Sequence, residues 1–165
     1  MKTNVLRLLD AAGIPYTTAE YQADESDLSG AHAARMLGIP AGRVFKTLVL
    51  RDASLPAPGG FFVCCIPAAE ALDLRKTARI RGRKKVELIP VRDLLPLTGY
   101  VRGGCSPIGM KKQFPLYIDE TAELFDTISV SAGARGCQVI LAPRSLLKAA
   151  GGGTFADLTV RPRAG

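Results

Sequence analysis

Hydrophobic residues at helical spacing predict five helices. In the segment 4–12, Val5, Leu8, Leu9 and Ala12 recur at i, i+3, i+4 and i+7, which places them on one face of a helix. The glycine and proline that follow are typical of a helix end. We expect this apolar face to pack against the rest of the domain. Further helices are predicted over 30–37, 74–80, 91–95 and 144–150, with one helical turn over 121–125.

Runs of β-branched and aromatic residues predict the strands. The segments 44–50 and 61–66 are such runs, and the loop between them is rich in Pro and Gly, which favours an antiparallel pair. The alternating segments 127–131 and 137–141 predict a hairpin, because a short turn containing glycine joins them. Helices and strands do not alternate strictly, so the sequence predicts an α+β domain with one mixed, mostly antiparallel sheet and flanking helices. Shorter strands are predicted over 16–21, 86–89 and 117–119.

The composition of the chain fits one such domain. Of its 165 residues, 47% are hydrophobic and 22% charged, close to globular averages. We expect a single domain over 1–160 and a flexible tail over 161–165. No apolar run reaches the roughly 18 to 20 residues of a membrane span, and charged residues stand where a signal peptide has its apolar core. We therefore expect a cytoplasmic protein with no membrane partner.

The residues that most often form metal or hydrolase sites are sparse. The cysteines Cys64, Cys65, Cys105 and Cys137 show no C-x-x-C spacing, which predicts free thiols, no metal site and no cofactor. The single histidine, His32, lies between alanines in a predicted helix, with no recognisable nucleophile nearby in sequence. The chain also lacks the serine-hydrolase and zinc-protease motifs.

Basic residues depart from the average composition. The chain has 22 Lys and Arg against 15 Asp and Glu, a net charge of +7. Seven of these cations fall within eleven residues that contain no acid. Such a cluster is typical either of a surface that binds a polyanion or of a solvated helix face that keeps a protein soluble, and charge alone leaves both interpretations open. The cluster consists of Arg75, Lys76, Arg79, Arg81, Arg83, Lys84 and Lys85.

Lys46 is the side chain that most clearly suggests a site. In the predicted strand 44–50 it shares a face with Leu48 and Leu50. Both faces of this strand are apolar, and an ammonium in such a strand needs water, a partner or a ligand. Lys46 therefore either reaches solvent at a sheet edge or lies in the wall of a pocket, where it would bind a phosphate, a carbonyl or a developing oxyanion.

The segment 98–112 is the second candidate. Its glycines allow backbone N–H groups to approach a ligand, as in an oxyanion hole or a phosphate nest. Its spacing matches neither a P-loop nor a dinucleotide fingerprint, so a plain connecting loop is the default interpretation. Cys105 within it has the chemistry of a nucleophile, but no base is adjacent in sequence.

Several segments, taken together in their order along the chain, resemble one family. The chain is similar to the YbaK/EbsC group of aminoacyl-tRNA deacylases, relatives of the editing domain of bacterial prolyl-tRNA synthetases. The resemblance extends over about 3–158, and so many ordered matches make it specific. The matching segments are 27–30, 44–48, 72–76, 84–87, 98–100, 103–109, 118–119, 130–133 and 135–136.

This resemblance implies an enzyme that removes a wrong amino acid, typically Cys, from tRNA(Pro), and that belongs to the hydrolase or lyase class. It implies that the thiol of a Cys substrate attacks its own ester, so the protein supplies only position and charge stabilisation. In that family the lysine matching Lys46 is the central, catalytic residue. The residues that would bind substrate beside it are Tyr21, Thr47, Gly103, Gly104 and Ser131.

The resemblance also gives the basic residues a partner, because cations that neutralise tRNA phosphates supply affinity. A domain of this size cannot span a tRNA, so prolyl-tRNA synthetase is a second expected partner. The residues expected to bind tRNA are Arg75, Lys76, Arg79, Arg81, Arg83, Lys111 and Lys112.

Substrate choice stays open on the sequence alone. The family carries an acid just after the Arg-Gly of the hairpin, where this chain has Cys137 and Gln138. Two alternatives to a Cys-tRNA(Pro) deacylase remain. One is a deacylase for another mischarged tRNA, such as Ala-tRNA(Pro), and the other is a non-catalytic module that binds tRNA or a nucleotide.

Overall fold

The structure of this protein is a computed structural model that describes residues 2–56 and 59–160. The predicted flexible tail over 161–165 lies outside these residues. Within them the chain forms five α-helices: α1 (Asn4–Ala11), α2 (Gly30–Leu37), α3 (Leu74–Arg81), α4 (Val91–Thr98) and α5 (Pro143–Ala149). It also forms eight strands there: β1 (Thr17–Glu20), β2 (Phe45–Asp52), β3 (Phe61–Pro67), β4 (Val86–Leu88), β5 (Leu116–Asp119), β6 (Ile128–Ala134), β7 (Cys137–Leu141) and β8 (Thr154–Ala156).

The strands form two sheets, where the sequence predicts one. β1, β7 and β6 make a three-stranded antiparallel sheet, and a five-stranded mixed sheet has the order β4-β2-β3-β5-β8. Among the described residues, one parallel bridge between Val44 and Ser129 links the backbones of the two sheets. On that edge of β2, β4 occupies the end of the strand, at Leu50 to Asp52. The bridge to β6 does not extend into a ladder along the start of β2, so the two sheets remain separate. The α+β class itself is confirmed.

The two faces of β2 are both apolar, as the sequence predicts, and they contribute to two different cores. Phe45 and Val49 face the main core, which lies between the two sheets and is covered by α1. Leu48 and Leu50 face a second core, under α3. Alternation therefore places Lys46 on the α3 side of the sheet, near its end. In the described part of the chain, no helix is long and apolar enough to cross a membrane.

Most predicted elements have the expected bounds to within a few residues, and the predicted β2–β3 pair and β6–β7 hairpin are both confirmed. β8 is the strand that the sequence analysis missed. It has three residues and follows the triple glycine 151–153, and within 2–56 and 59–160 its one strand partner is β5, which it pairs with in parallel. Three residues are too few to show a hydrophobic period, so only the tertiary partner defines this strand.

Candidate active site

A cleft of about 410 Å³ opens where the start of β2 meets the N-terminus of α2, the loop 102–105 and the β6–β7 hairpin. Part of its wall is apolar: Leu28, Ala33, Val44, Phe45, Leu48 and Ala68. The rest presents polar atoms from side chains and backbone. Of the residues predicted to act on substrate, the cleft brings together Tyr21, Lys46, Thr47, Gly103 and Ser131.

Lys46 provides the cleft with a cation. Its side chain is half-buried and forms no hydrogen bond or ion pair with any described residue. Burial lowers the pKa of its ammonium, and the negative charge of Glu70 opposes that effect. Of the two interpretations that the sequence leaves open, the structure places Lys46 in a pocket wall. A partly desolvated ammonium that has no ion pair with a described residue is suited to binding an anion or a developing oxyanion.

Tyr21 and Thr47 also line this cleft. Tyr21 directly follows β1, and its N–H donates to the Gly136 carbonyl at 2.9 Å. A Cβ at Gly136 would lie 2.5 Å from the Tyr21 carbonyl oxygen, so the hairpin turn needs glycine there. Burial raises the pKa of the Tyr21 phenol, which keeps it protonated and able to donate. The Thr47 hydroxyl lies 3.6 Å from the Cys65 thiol.

The two adjacent glycines of the loop have different surroundings. Gly103 lines the cleft with φ of +83°, and a side chain there would press on Leu28 at 3.1 Å. Gly104 is buried outside the cleft lining, and a Cβ on it would lie 3.1 Å from the Arg135 nitrogen and 3.2 Å from the Ala134 carbonyl carbon. Gly104 therefore lets the loop approach the hairpin backbone closely. It does not line the cleft with the other predicted substrate-binding residues.

A bulge in the β6–β7 hairpin shapes another part of the cleft wall. The pairing of β6 with β7 shifts between Ser131 and Ala134. Within the bulge, the Gly133 N–H donates to Ser131 Oγ at 3.2 Å, which leaves the hydroxyl proton of Ser131 free to donate into the cleft. Beside it, the Oε1 of the buried Gln138 accepts from Ser129 Oγ at 2.8 Å. The amide nitrogen of Gln138 is thus a further donor at the cleft wall.

The start of α2 supplies polar groups that the sequence analysis did not assign to the site. Ser29 caps the helix by accepting from the His32 N–H at 3.1 Å. Its own hydroxyl donates to Asp27 Oδ1 at 2.6 Å, and Arg35 lies 3.3 Å from Asp27 Oδ2. These hydrogen bonds, from Ser29 first, hold the pKa of Asp27 below its ordinary value. The segment 27–30 has the signature of a helix cap, which identifies a helix start but not a cleft.

The cleft offers no activated nucleophile among the described residues. Cys105 lines it, but burial raises the pKa of this thiol to about 12, so it is protonated at neutral pH. His32 lies behind Tyr21, with ring centroids 6.2 Å apart. Its Nδ1 is 3.8 Å from Asp27 Oδ2, and its buried Nε2 has no hydrogen-bond partner in the described part of the chain. No group of three or more His, Cys, Asp or Glu that could hold a metal ion is found in 2–56 and 59–160.

The predicted tRNA-binding residues on α3 lie outside the cleft lining. They differ in whether their charge is paired with another group of the protein. Arg75 and Arg79 are exposed and have no ion pair with a described residue. Lys76 is engaged, because its Nζ lies 3.1 Å from Asp157 Oδ1 and 2.8 Å from the Thr159 carbonyl oxygen. Its ammonium therefore stabilises the packing of α3 against the segment 157–159.

Arg81 and Arg83 also have partners within the protein. The Arg81 guanidinium lies 5.3 Å from the centroid of the Phe62 ring, a cation–π contact. Arg83 Nε lies 3.1 Å from Oδ2 of Asp52, which is only 2% exposed. Hydrogen bonds from Ser54 are the main cause of the lowered pKa of Asp52, and the Arg83 charge contributes to it. The spacing of cations along the sequence gives no sign of these contacts.

Lys111 and Lys112 are exposed but do not line the cleft. Lys111 donates to the Pro96 carbonyl at 3.3 Å, and its stem packs on Gly99. Lys112 lines a separate cavity of about 220 Å³ beside Phe114. A different cation, Arg102, lies at the cleft. Arg102 is not among the residues predicted from the sequence, although it directly precedes the glycine pair.

Comparison with known proteins assigns the family. The family model for the aminoacyl-tRNA editing domain matches residues 27–149, which include Lys46, Thr47, Gly103 and Ser131. The chain belongs to the aminoacyl-tRNA editing domain family. It is 46% identical over 160 residues to a protein of Enterococcus faecalis that is provisionally named Cys-tRNA(Pro)/Cys-tRNA(Cys) deacylase EbsC, covering 97% of this chain and 94% of that protein. It is also 28% identical over 115 residues to the uncharacterized protein YwhH of Bacillus subtilis, covering 69% of each.

Two solved structures share the fold of this editing domain. The hypothetical protein APE2540 superposes with a TM-score of 0.82 at 23% identity, covering 95% of this chain and 99% of that one. A protein provisionally described as a trans-editing enzyme for prolyl tRNA synthetase superposes with a TM-score of 0.78 at 23% identity, covering 96% and 99%. Both matches extend over nearly the whole of the editing domain, so its two-sheet α+β architecture is that of known proteins.

Proposed function

We propose that this editing domain is a trans-editing deacylase that removes mischarged Cys from tRNA(Pro). The observation that supports this most directly is the cleft itself, where Lys46 forms no ion pair with a described residue and stands among donors from Tyr21, Gly103 and Ser131. These groups suit a substrate rich in oxygen acceptors, such as the 3′ end of a tRNA with its amino acid ester. The 46% identity to the provisionally named EbsC deacylase agrees with this assignment.

The chemistry of the cleft favours substrate-assisted cleavage. Its own cysteine is protonated at neutral pH, and the single histidine lies behind Tyr21. The sulfur of the bound Cys attacks its own ester carbonyl, a C–S bond forms, and the ester C–O bond breaks. The thiol proton ends on the released ribose oxygen. Lys46 and the backbone N–H of Gly103 stabilise the negative charge that develops on the carbonyl oxygen.

Free cations on α3 would guide the body of the tRNA. Arg75 and Arg79 are the predicted tRNA-binding residues on this helix that keep their charge available. A domain of this size reaches only part of a tRNA, so we also propose prolyl-tRNA synthetase as a partner that selects tRNA(Pro), with the cytoplasm as the site of action. Lys76, Arg81 and Arg83 mainly stabilise the fold.

The experiment that tests the function measures the release of labelled amino acid from Cys-, Ala- and Pro-tRNA(Pro). The proposal expects rapid loss of Cys and slow loss of Pro. A preference for Ala-tRNA(Pro) would favour the alternative deacylase. Alanine has no thiol, so the cleft would then select its substrate by the small size of the side chain. Unchanged aminoacyl-tRNA in all three assays would leave the non-catalytic binding module as the better description.

A further inference from the structure

The peptide unit between Arg102 and Gly103 has a defined direction. Its carbonyl oxygen accepts a hydrogen bond from Arg135 Nε at 2.9 Å. A trans peptide is planar, with its C=O and N–H pointing in opposite directions, so the Gly103 N–H points away from Arg135. Gly103 lines the cleft, and its N–H donates a hydrogen bond to no described residue. This N–H is therefore available to a ligand at the cleft wall.

Arg135 is well placed to fix that direction. It lies in the turn of the β6–β7 hairpin, and its backbone packs against Gly104, the residue that follows the oriented peptide. Its Nη1 also lies 3.8 Å from Oε1 of Glu25. One guanidinium thus contacts the glycine loop at Arg102 and the segment before α2 at Glu25, from its own place in the hairpin turn. Glu25 is 88% exposed, so this ion pair contributes little, and the bond to the Arg102 carbonyl is the important one.

The loss of that bond has a specific consequence for the cleft. Glycine has access to both signs of φ, so the peptide preceding Gly103 can rotate more easily than one next to a residue with a side chain. A rotated peptide would present the Arg102 carbonyl oxygen to the cleft in place of the Gly103 N–H. A carbonyl dipole in that position would repel a developing oxyanion.

We propose that Arg135 is a positioning residue of the deacylation reaction, which holds the 102–103 peptide so that the Gly103 N–H faces the ester oxygen in the transition state. It touches no reacting atom. The inference rests on the proposed deacylase function. It adds a residue whose part in the site depends on a contact between positions 33 residues apart in sequence.

The test compares Arg135→Ala with Arg135→Lys, and uses Glu25→Gln as the matched control at the other end of the same guanidinium. We expect Arg135→Ala to lower kcat for Cys-tRNA(Pro) by about 10- to 100-fold with KM nearly unchanged, because a transition-state donor is misdirected. Arg135→Lys should recover part of the activity, because an ammonium can still donate to the Arg102 carbonyl. Glu25→Gln should resemble the wild type.

A second measurement records the amide resonance of Gly103 by NMR in each variant, together with the melting temperature. We expect the resonance to shift in Arg135→Ala and to shift less in Arg135→Lys. An unmoved resonance, or an equal loss of activity in the alanine and lysine variants that follows a lowered melting temperature, would overturn the proposal. If wild-type protein releases no amino acid from any tRNA, the proposed function fails, and the Gly103 resonance alone then decides whether Arg135 orients this peptide.

Discussion

The cation in the cleft and the cations near α3 have opposite surroundings. Lys46 is half-buried in the cleft and forms no ion pair with a described residue, whereas Lys76, Arg81 and Arg83, near α3, each contact an acid or an aromatic ring. Removing a charge from water without a partner is costly, so such a residue is expected where a ligand supplies the missing anion. On this argument, a half-buried cation that has no ion pair with a described residue is a stronger sign of a binding site than a cluster of cations that have partners within the protein.

The largest expected effect comes from removing the isolated cation. Lys46→Ala should lower deacylation of Cys-tRNA(Pro) by about 100-fold or more, the range seen when a donor to a developing oxyanion is removed. The fold should survive, because the ammonium forms no ion pair with a described residue, so its removal leaves no buried partner charge there. Single-turnover deacylation and thermal unfolding measure the two effects. Lys148→Ala, at an exposed lysine of α5, is the matched control; an active Lys46→Ala would remove Lys46 from the mechanism.

The second prediction distinguishes the exposed cations of the basic cluster from those that have partners within the protein. Neutralising the two exposed arginines with Arg75→Gln and Arg79→Gln should weaken tRNA binding and reduce the slope of log K against log salt by about 0.7 to 0.9 for each phosphate that the protein no longer neutralises. The rate at saturating tRNA should be unchanged, since neither residue lines the cleft. Filter binding over a salt series measures the slope.

The control for that variant removes the same charge from two exposed arginines elsewhere, with Arg7→Gln and Arg92→Gln. If both double variants change the slope equally, Arg75 and Arg79 have no special role and the binding is diffuse. Single changes at Arg81 or Arg83 should instead lower the melting temperature, because they remove a ring contact or the partner of a buried carboxylate.

Local patterns in the sequence predict the elements and the central lysine, but not the contacts that set the site. Two apolar faces around Lys46 are enough to mark it as unusual. By contrast, the burial of Gly104, the position of Arg102 and the bond from Arg135 depend on a loop and a hairpin that meet only in the folded chain. The pairing of Lys76 with Asp157 likewise joins residues 81 positions apart.

A third prediction uses the lowered pKa of Lys46. An unfolded chain holds the proton of this lysine up to its ordinary pKa of 10.5, whereas the folded protein releases it earlier. Stability from this group therefore rises with pH between the folded pKa and 10.5. Lys46→Met should be slightly more stable than the wild type at pH 7, and the difference should shrink as the pH approaches 10.5. Urea unfolding at several pH values measures it, and a constant difference would mean that the Lys46 pKa is not lowered by burial.

The smallest expected effect concerns Gln138, which lies on the hairpin part of the cleft wall. Gln138→Glu should keep the fold, because the carboxylate can still accept from the Ser129 hydroxyl. It replaces a neutral donor by a negative charge in the same cleft, and this charge favours the ammonium form, so the pKa of Lys46 should rise. NMR titration of the Lys46 side chain measures the shift, with Gln113→Glu, outside the cleft, as the control. A pKa that rises equally in both variants would reflect net charge alone. A rise confined to Gln138→Glu would show that the charge at position 138 acts on Lys46 within the cleft. An acid at this hairpin position would then adjust how strongly the lysine holds its proton and its ligand.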